Sequence, residues 1–321
     1  MRNDKMKAVT INKFGGIEET SKENLPIPQP QAKEVQIKIS HAAVNPVDWK
    51  ICEGYLNKLL PHAFPLIPGW DASGTVSAIG DGVGAFKVGD KVFAYCRKPT
   101  VQWGTYAEYV CFDAEHVAPM PKTLNSAQAA SIPLVALTAW QALFDDARLQ
   151  KGQTVLIHAG AGGVGSMGLQ FAKHAGAKVY TTASANHHDY VKQLGADVAI
   201  DYKNQPFAEA VRSLEPEGID VVFDCAGYDT LEQSYAIVKK GGCLVSIVNR
   251  PDPEECSGHE IRGVFTFVRP DGSQLREIGH LIDEGKVAPP SIKELPLDEY
   301  AKAWEQIKTQ HTQGKIVLKI D

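Results

Sequence analysis

The stretch Thr154-Val-Leu-Ile-His-Ala-Gly-Ala-Gly-Gly-Val-Gly165 decides the fold. Its first four residues form an unbroken apolar run, the pattern of a strand buried on both faces of a parallel sheet. Beyond it, Val164, Met167, Phe171, Ala172 and Ala175 recur at helical spacing, and Gly176 is placed to end that helix. The glycines therefore fall on a strand-to-helix turn. Gly160, Gly162 and Gly165 fit G-x-G-x-x-G. The first allows the tight bend, the second lets a pyrophosphate approach the backbone, and the third lets the helix lie close to the strand. Gly163 and Val164, at the helix start, offer unpaired N–H groups and the positive end of a dipole. Glycines alone also suit an ordinary tight turn. With a strand before them and an amphipathic helix after, a dinucleotide site is the expectation.

Outward from this turn the chain alternates strand and helix. Residues 178–183, 196–200, 219–224, 243–248 and 262–268 read as further strands, and 189–194 as a helix stopped by Gly195. Six strands with helical crossovers predict an α/β, Rossmann-type doubly wound parallel sheet. Residues 7 to about 120 read differently. Val35, Ile37 and Ile39 alternate with Gln36 and Lys38, as in a half-buried strand, and 7–11, 74–79 and 91–95 are also strand-like. Turn clusters at 26–30, 80–84 and 88–90 separate them, which predicts a partly open barrel. Residues 126–143 are rich in Ala and Leu and read as helix, broken or kinked at Pro133. After Pro289-Pro290, the residues Tyr300, Trp304 and Ile307 share a helix face that Asp298 is placed to cap, and 315–320 reads as a closing strand. The expected division is 1–124 with 287–321 as a substrate domain, and 125–286 as the dinucleotide domain.

A chain of 321 residues accommodates two domains. Its 44% hydrophobic and 22% charged residues are ordinary for a soluble globular protein. A net charge of −5 gives no footprint for nucleic acid, and no apolar run suits a membrane span. The opening Met1-Arg-Asn-Asp-Lys-Met6 does not read as a signal peptide, and Met6 offers a second start. Six scattered cysteines without a C-x-x-C pair favour reduced thiols in a cytoplasmic setting.

The choice of dinucleotide is read at the end of the second strand, where an acid favours NAD. Here the stretch is Thr182-Ala-Ser-Ala-Asn-His-His188, with no acid before Asp189. A carboxylate about 4 Å from a 2′-phosphate costs on the order of 4 kcal/mol at intermediate dielectric, so its absence favours NADP(H). Ser184 and Asn186 supply hydrogen bonds, and His187 or His188 adds charge if protonated; a solvated helix start is the other reading of the two histidines.

Residues 65–74 (PLIPGWDASG), 45–50 (NPVDWK), the 159–165 turn and 314–317 (GKIV) together resemble the medium-chain dehydrogenase/reductases. The similarity covers nearly the whole chain and is strongest to the zinc-independent quinone oxidoreductases and alkenal or enone reductases. The resemblance implies a GroES-like β-barrel substrate domain, a Rossmann domain, a cleft between them and a homodimer. It also implies NADPH-dependent hydride transfer to a small-molecule quinone or enone. Zinc alcohol dehydrogenases of the same superfamily carry Cys where this chain has Asn45, and His-Glu where it has Trp70-Asp71. Their four-cysteine lobe is also absent, with only Cys96 and Cys111 in that region, so no metal is expected.

The same resemblance supplies site residues. Asn45 is a candidate for bonding the nicotinamide ribose or substrate oxygen. Asp48 matches a polar family position, and capping of the next helix is its other reading. Tyr55 and Tyr95 are candidates to donate to a developing oxyanion, or else they pack. Thr138 matches a helix position beside the nicotinamide, Tyr202 the adenosine phosphate, and Ile247 and Phe267 the far side of the nicotinamide. Lys315 resembles a lysine near the cofactor, against the alternative of a surface charge on an edge strand. The 262–268 strand is the candidate dimer edge. Two other readings remain open: an NADPH-binding structural or regulatory protein with little turnover, and a zinc alcohol dehydrogenase.

Overall fold

The computed structural model describes residues 4–310 and 312–320, so Met1 of the two candidate starts lies outside it. The chain forms two compact units. The first runs to Leu134 and takes up Arg269–Gly285 and the stretch from Pro289; the second comprises Val135–Val268 and Lys286–Ala288.

The first unit holds β1 (Lys5–Ile11), β2 (Thr20–Pro26), β3 (Glu34–Ala43), β4 (His62–Ile67), β5 (Asp71–Ile79), β6 (Lys91–Tyr95), β7 (Val101–Trp103), β8 (Tyr109–Asp113) and β9 (Val117–Pro119). Two late strands, β16 (Ile292–Pro296) and β17 (Lys315–Lys319), complete it. One sheet runs β2-β1-β4-β7 and a larger one β16-β17-β3-β5-β6-β9, with β8 also on β3. Val35, Ile37, Ile39, Val76, Val92 and Phe112 form its core. Gln36 departs from the expected alternation and is buried as well, because its amide donates to the Pro28 carbonyl (2.5 Å) and accepts from Ser77 Oγ (2.6 Å).

The expected divisions at 124/125 and 286/287 fall elsewhere. Helix α2 (Ser126–Ala130) buries Ala127 and Ala130 against Ala43 and Val317 of the first unit. Helix α9 (Gly272–Asp283) brings Gly272 against the backbone of residues 115–117, and the Thr123 N–H and hydroxyl each donate to Asp283 Oδ1 at 3.1 Å. Helix α10 (Tyr300–Lys308) buries Tyr300 and Trp304, while Ile307 is half-buried. Asp298 does not cap it: a 3₁₀ turn intervenes, and the carboxylate pairs with Lys22 Nζ at 2.5 Å.

The second unit is a six-stranded parallel sheet. Its strands are β10 (Thr154–Ile157), β11 (Lys178–Thr182), β12 (Val198–Ile200), β13 (Ile219–Asp224), β14 (Val238–Ser246) and β15 (Arg262–Phe265). Their order, β12-β11-β10-β13-β14-β15, is that of a doubly wound dinucleotide fold. Helices α4 (Gly163–His174), α5 (His188–Gln193), α6 (Phe207–Leu214), α7 (Asp229–Ser234) and α8 (Pro253–Gly258) follow the strands. Leu156, Tyr180, Val211, Val222 and Leu244 pack one core face. The chain reverses sheet direction beside β10, the crevice position where ligands bind in such sheets. Strands β14 and β15 stop at Ser246 and Phe265, short of the expected 248 and 268, so Ile247 and Phe267 lie just beyond strand ends.

Helix α3 (Pro133–Trp140) starts at Pro133 and continues as a π-helical segment, Gln141–Asp146. Proline at a first helical position loses an N–H that would have no partner there. It therefore opens a new helix after α2.

Candidate functional site

The glycine turn follows β10 directly. A side chain at Gly160 would run into Thr181 Oγ1, and one at Gly165 would stand 2.7 Å from Gly160 Cα. Both positions need glycine for packing. Gly162 differs: its φ is −76°, and an added Cβ would approach only the Ala159 carbonyl, at 3.3 Å. The space above it is open, as a ligand approaching the backbone requires. The Gly162 N–H is taken by Ala159 O (3.0 Å), but helix geometry leaves those of Gly163 and Val164 without an acceptor in α4. The turn thus fits a dinucleotide pyrophosphate.

The first residue after β10 is His158, to which the sequence assigns no role. It is fully buried, with Nδ1 3.1 Å from Thr182 Oγ1 and Nε2 3.1 Å from Ser234 Oγ. Burial pushes its imidazole down to about 4, against the weaker pull of Asp224. A neutral imidazole therefore ties β10 to β11 and α7. Its only signal in the sequence is a histidine closing a buried apolar strand.

Five of the other predicted cofactor residues, Ser184, Asn186, Tyr202, Ile247 and Phe267, lie just beyond the carboxyl ends of strands. After β11, Ser184 is half-buried, with Oγ 3.3 Å from His187 Nδ1, and Asn186 is exposed. Tyr202 follows β12 and is exposed. Asp224, ending β13, accepts from the N–H groups of Ala226 (3.0 Å) and Gly227 (2.9 Å) and from Ser246 Oγ (2.7 Å). Those bonds give it a structural part. Ile247 is half-buried and Phe267 exposed. Thr138 is buried on α3.

A second constellation lies in the first unit, where Asn45, Asp48, Asp71 and Lys315 are all buried. Asn45 precedes α1 (Pro46–Cys52) and forms a capping box with Asp48, whose Oδ2 accepts the Asn45 N–H at 2.8 Å. The capping reading of Asp48 thus holds. Tyr106 OH also donates to that oxygen (3.0 Å), and Trp304 Nε1 donates to Tyr106 (3.2 Å). Asp48 Oδ1 is buried with no hydrogen-bond partner among the described residues. Desolvation raises this carboxyl to about 7, against the lowering effects of the Asn45 N–H and the Lys315 charge.

Lys315 is not a surface charge on an edge. β17 lies between β16 and β3, and the ammonium donates to Val44 O (2.8 Å) and Asn45 Oδ1 (2.5 Å), 3.7 Å from Asp71. Desolvation lowers the Lys315 pKa and raises that of Asp71, each opposed by the other's charge. The Asn45 side-chain amide is thereby spent inside the protein, donating to Asp71 Oδ2 (2.8 Å) and toward Ala43 O (3.4 Å). Its expected direct contact with ribose or substrate has no free donor. Of the tyrosines, Tyr95 is buried against Trp70, whereas Tyr55 is 66% exposed and packs edge-on against Trp49.

In the sequence Asp71 enters only as the residue standing where zinc relatives carry Glu. It is the hub of this cluster. A zinc ion does not suit these donors, because the carboxylate already faces an ammonium and the amide is committed on both sides. Among the described residues no group of three or more His, Cys, Asp or Glu is arranged to hold a metal. All six cysteines are free thiols, and no helix among the described residues is long and apolar enough to cross a membrane.

Residues 31–122 match the alcohol dehydrogenase GroES-like domain, and residues 194–318 match the zinc-binding dehydrogenase domain. An NADPH-dependent alkenal/one oxidoreductase of Arabidopsis thaliana is 33% identical over 322 residues, covering 98% of this chain and 79% of the relative. The quinone oxidoreductase of Rattus norvegicus is 32% identical, covering 97% and 96%. The solved quinone oxidoreductase of Coxiella burnetii superposes with a TM-score of 0.87 at 33% identity, covering 99% and 100%. The chain belongs to the medium-chain dehydrogenase/reductase family, with a GroES-like unit and a Rossmann unit, and is an oxidoreductase.

Proposed function

We propose that this protein uses NADPH to reduce a quinone or an α,β-unsaturated carbonyl, without a metal. The observation that carries the reading is the Asn45–Asp71–Lys315 cluster: a spent amide stands where zinc relatives carry Cys, and Trp70 with a carboxylate facing the Lys315 ammonium stands where they carry His-Glu. Without a Lewis acid a simple carbonyl is a poor acceptor, whereas a quinone or enone delocalises the charge it receives. The names of the plant and rat relatives point to the same acceptors.

When bound, NADPH supplies the hydride. The N–H groups of Gly163 and Val164 grip its pyrophosphate at the helix start. Ser184 and Asn186 take the 2′-phosphate, in a loop without an acid before Asp189. Thr138, Ile247 and Phe267 are the residues assigned to the nicotinamide, and Tyr202 to the adenosine end. Tyr55, with an exposed ring, is the candidate to face a developing oxyanion; water is the alternative proton source. Lys315 acts through its charge and its hold on Asn45 rather than as a direct ligand. The β15 edge serves a homodimer, and the free thiols suit the cytoplasm.

The test is steady-state oxidation of NADPH and NADH with a panel of quinones and enones. NADPH should be preferred and the activated acceptors reduced. Tight NADPH binding with no acceptor reduced would favour a structural or regulatory protein instead.

A further inference from the structure

Asp71 opens β5 and is fully buried, and its two oxygens do different things. Oδ1 accepts the backbone N–H of Leu134 at 2.7 Å. Leu134 is the second residue of α3, and Pro133 before it has no N–H, so this is the first donor the helix presents. A carboxylate from a distant strand thus does what an N-cap side chain does. Oδ2 accepts from Asn45 Nδ2 at 2.8 Å, while Lys315 donates to Asn45 Oδ1 at 2.5 Å. That pairing fixes the amide: turned over, it would set its NH₂ against the ammonium and its oxygen against the carboxylate. Position 71 therefore needs two acceptors and no donor. Asparagine is nearly isosteric but has one acceptor for two incoming N–H groups.

We propose that Asp71 is a positioning residue for turnover. It anchors the first turn of α3, which carries Thr138 one turn further along, and it holds the Asn45 amide in one orientation. The Lys315 ammonium faces the same carboxylate at 3.7 Å. This role rests on the reading of the protein as an NADPH-dependent reductase with Thr138 at the nicotinamide.

The experiment compares wild type, Asp71→Asn and the double variant Asn45→Asp/Asp71→Asn. In the double variant the residue at 71 accepts from Leu134 and donates to position 45, and position 45 still accepts from Lys315. The charge of the pair and the hydrogen bonds to Leu134, between positions 45 and 71, and from Lys315 return to those of the wild type; only the long 3.4 Å contact from position 45 to Ala43 O is lost. Readouts are kcat and KM for NADPH with 2-cyclohexenone and 1,4-benzoquinone, melting temperature, and hydrogen exchange of the 133–140 segment. Asp71→Asn should lose exchange protection at Leu134 and drop kcat by about 30-fold, with KM for NADPH within about threefold, since a misplaced contact costs orientation rather than pyrophosphate grip. The double variant should regain protection and bring kcat to within about fivefold of wild type.

Wild-type kcat in Asp71→Asn would overturn the proposal. So would a double variant that recovers melting temperature and protection while kcat stays low. If the single variant fails to fold, the double variant alone decides. A wild type that reduces neither acceptor would sink the reductase reading and this role with it. In that case the exchange data still separate a real anchor at Leu134 from none.

Discussion

His158 Nδ1 lies 3.1 Å from Thr182 Oγ1, and that hydroxyl also accepts the Ala159 N–H at 3.1 Å. The first residue of the glycine turn is thus held by a side chain of β11, which the buried imidazole in turn orients. Ser234 Oγ donates to Thr230 O (2.6 Å), so it accepts from Nε2–H, and Thr182 donates its proton to Nδ1. A second ring proton has nowhere to go.

Acid should therefore loosen the turn. The unfolded imidazole takes its proton near 6.5 and the folded one only near 4, so stability is lost as pH falls through that window. The full difference is about 3 kcal/mol. Chemical denaturation of wild type and His158→Gln should give a gap that narrows between pH 7 and pH 4.5. An equal gap at both would contradict a neutral His158.

Asp48 works in the opposite direction. Its folded carboxyl holds a proton up to about 7, against 3.8 for the free side chain, so its contribution to stability falls as pH rises from 4 to 7. Asp48→Asn keeps an acceptor for the Asn45 N–H and for Tyr106, and it is neutral at every pH. The variant should equal or exceed the wild-type melting temperature at pH 8 and lose ground to it at pH 5. The reverse order would refute the raised carboxyl.

Two glycines of the turn should fail in different ways. Gly165→Ala puts a methyl 2.7 Å from Gly160 Cα and should cost roughly 1–3 kcal/mol of stability. Gly162→Ala has room within the fold and should melt within a few degrees of wild type, yet weaken NADPH binding by about tenfold or more. Calorimetric titration beside thermal melting separates the two. Unchanged NADPH affinity in Gly162→Ala would remove the pyrophosphate from this turn.

Cofactor choice should respond to charge at the end of β11. Ser184→Asp places a carboxylate where the 2′-phosphate is proposed to lie, and at about 4 kcal/mol of repulsion it should shift the NADPH/NADH ratio of kcat/KM by about a hundredfold or more toward NADH. Ser184→Ala/Asn186→Ala should shift it less, by about tenfold. A ratio that ignores both changes places the phosphate elsewhere.

Purified protein dialysed against EDTA should contain no stoichiometric zinc by elemental analysis and should keep its turnover. Activity that disappears with the chelator and returns with zinc would overturn the metal-free reading.

The positions that sequence patterns located well are those governed by neighbours along the chain. The β10 apolar run, the glycine spacing and the helix ended by Gly176 were read within about 25 residues, and the six parallel strands followed from the same alternation. Strand ends were less legible. β15 stops at Phe265 although the apolar pattern continues to Val268, because pairing with β14 ends at Ser246. Asp298 looks like a cap until Lys22, far away in sequence, takes its carboxylate. Tyr55 was read as a polar handle near substrate, and only solvent exposure distinguishes it from the buried Tyr95.

The sequence by itself determined the class of each unit and the place of the phosphate-binding turn, since both depend on periodicity and on where a side chain is forbidden. Tertiary structure alone decided the roles of Asn45, Asp71, Lys315 and His158. The hydrogen bonds that decide them include partners 24 to 271 residues away, and whether an amide, carboxylate or ammonium is spent or available depends on which groups folding brings against it.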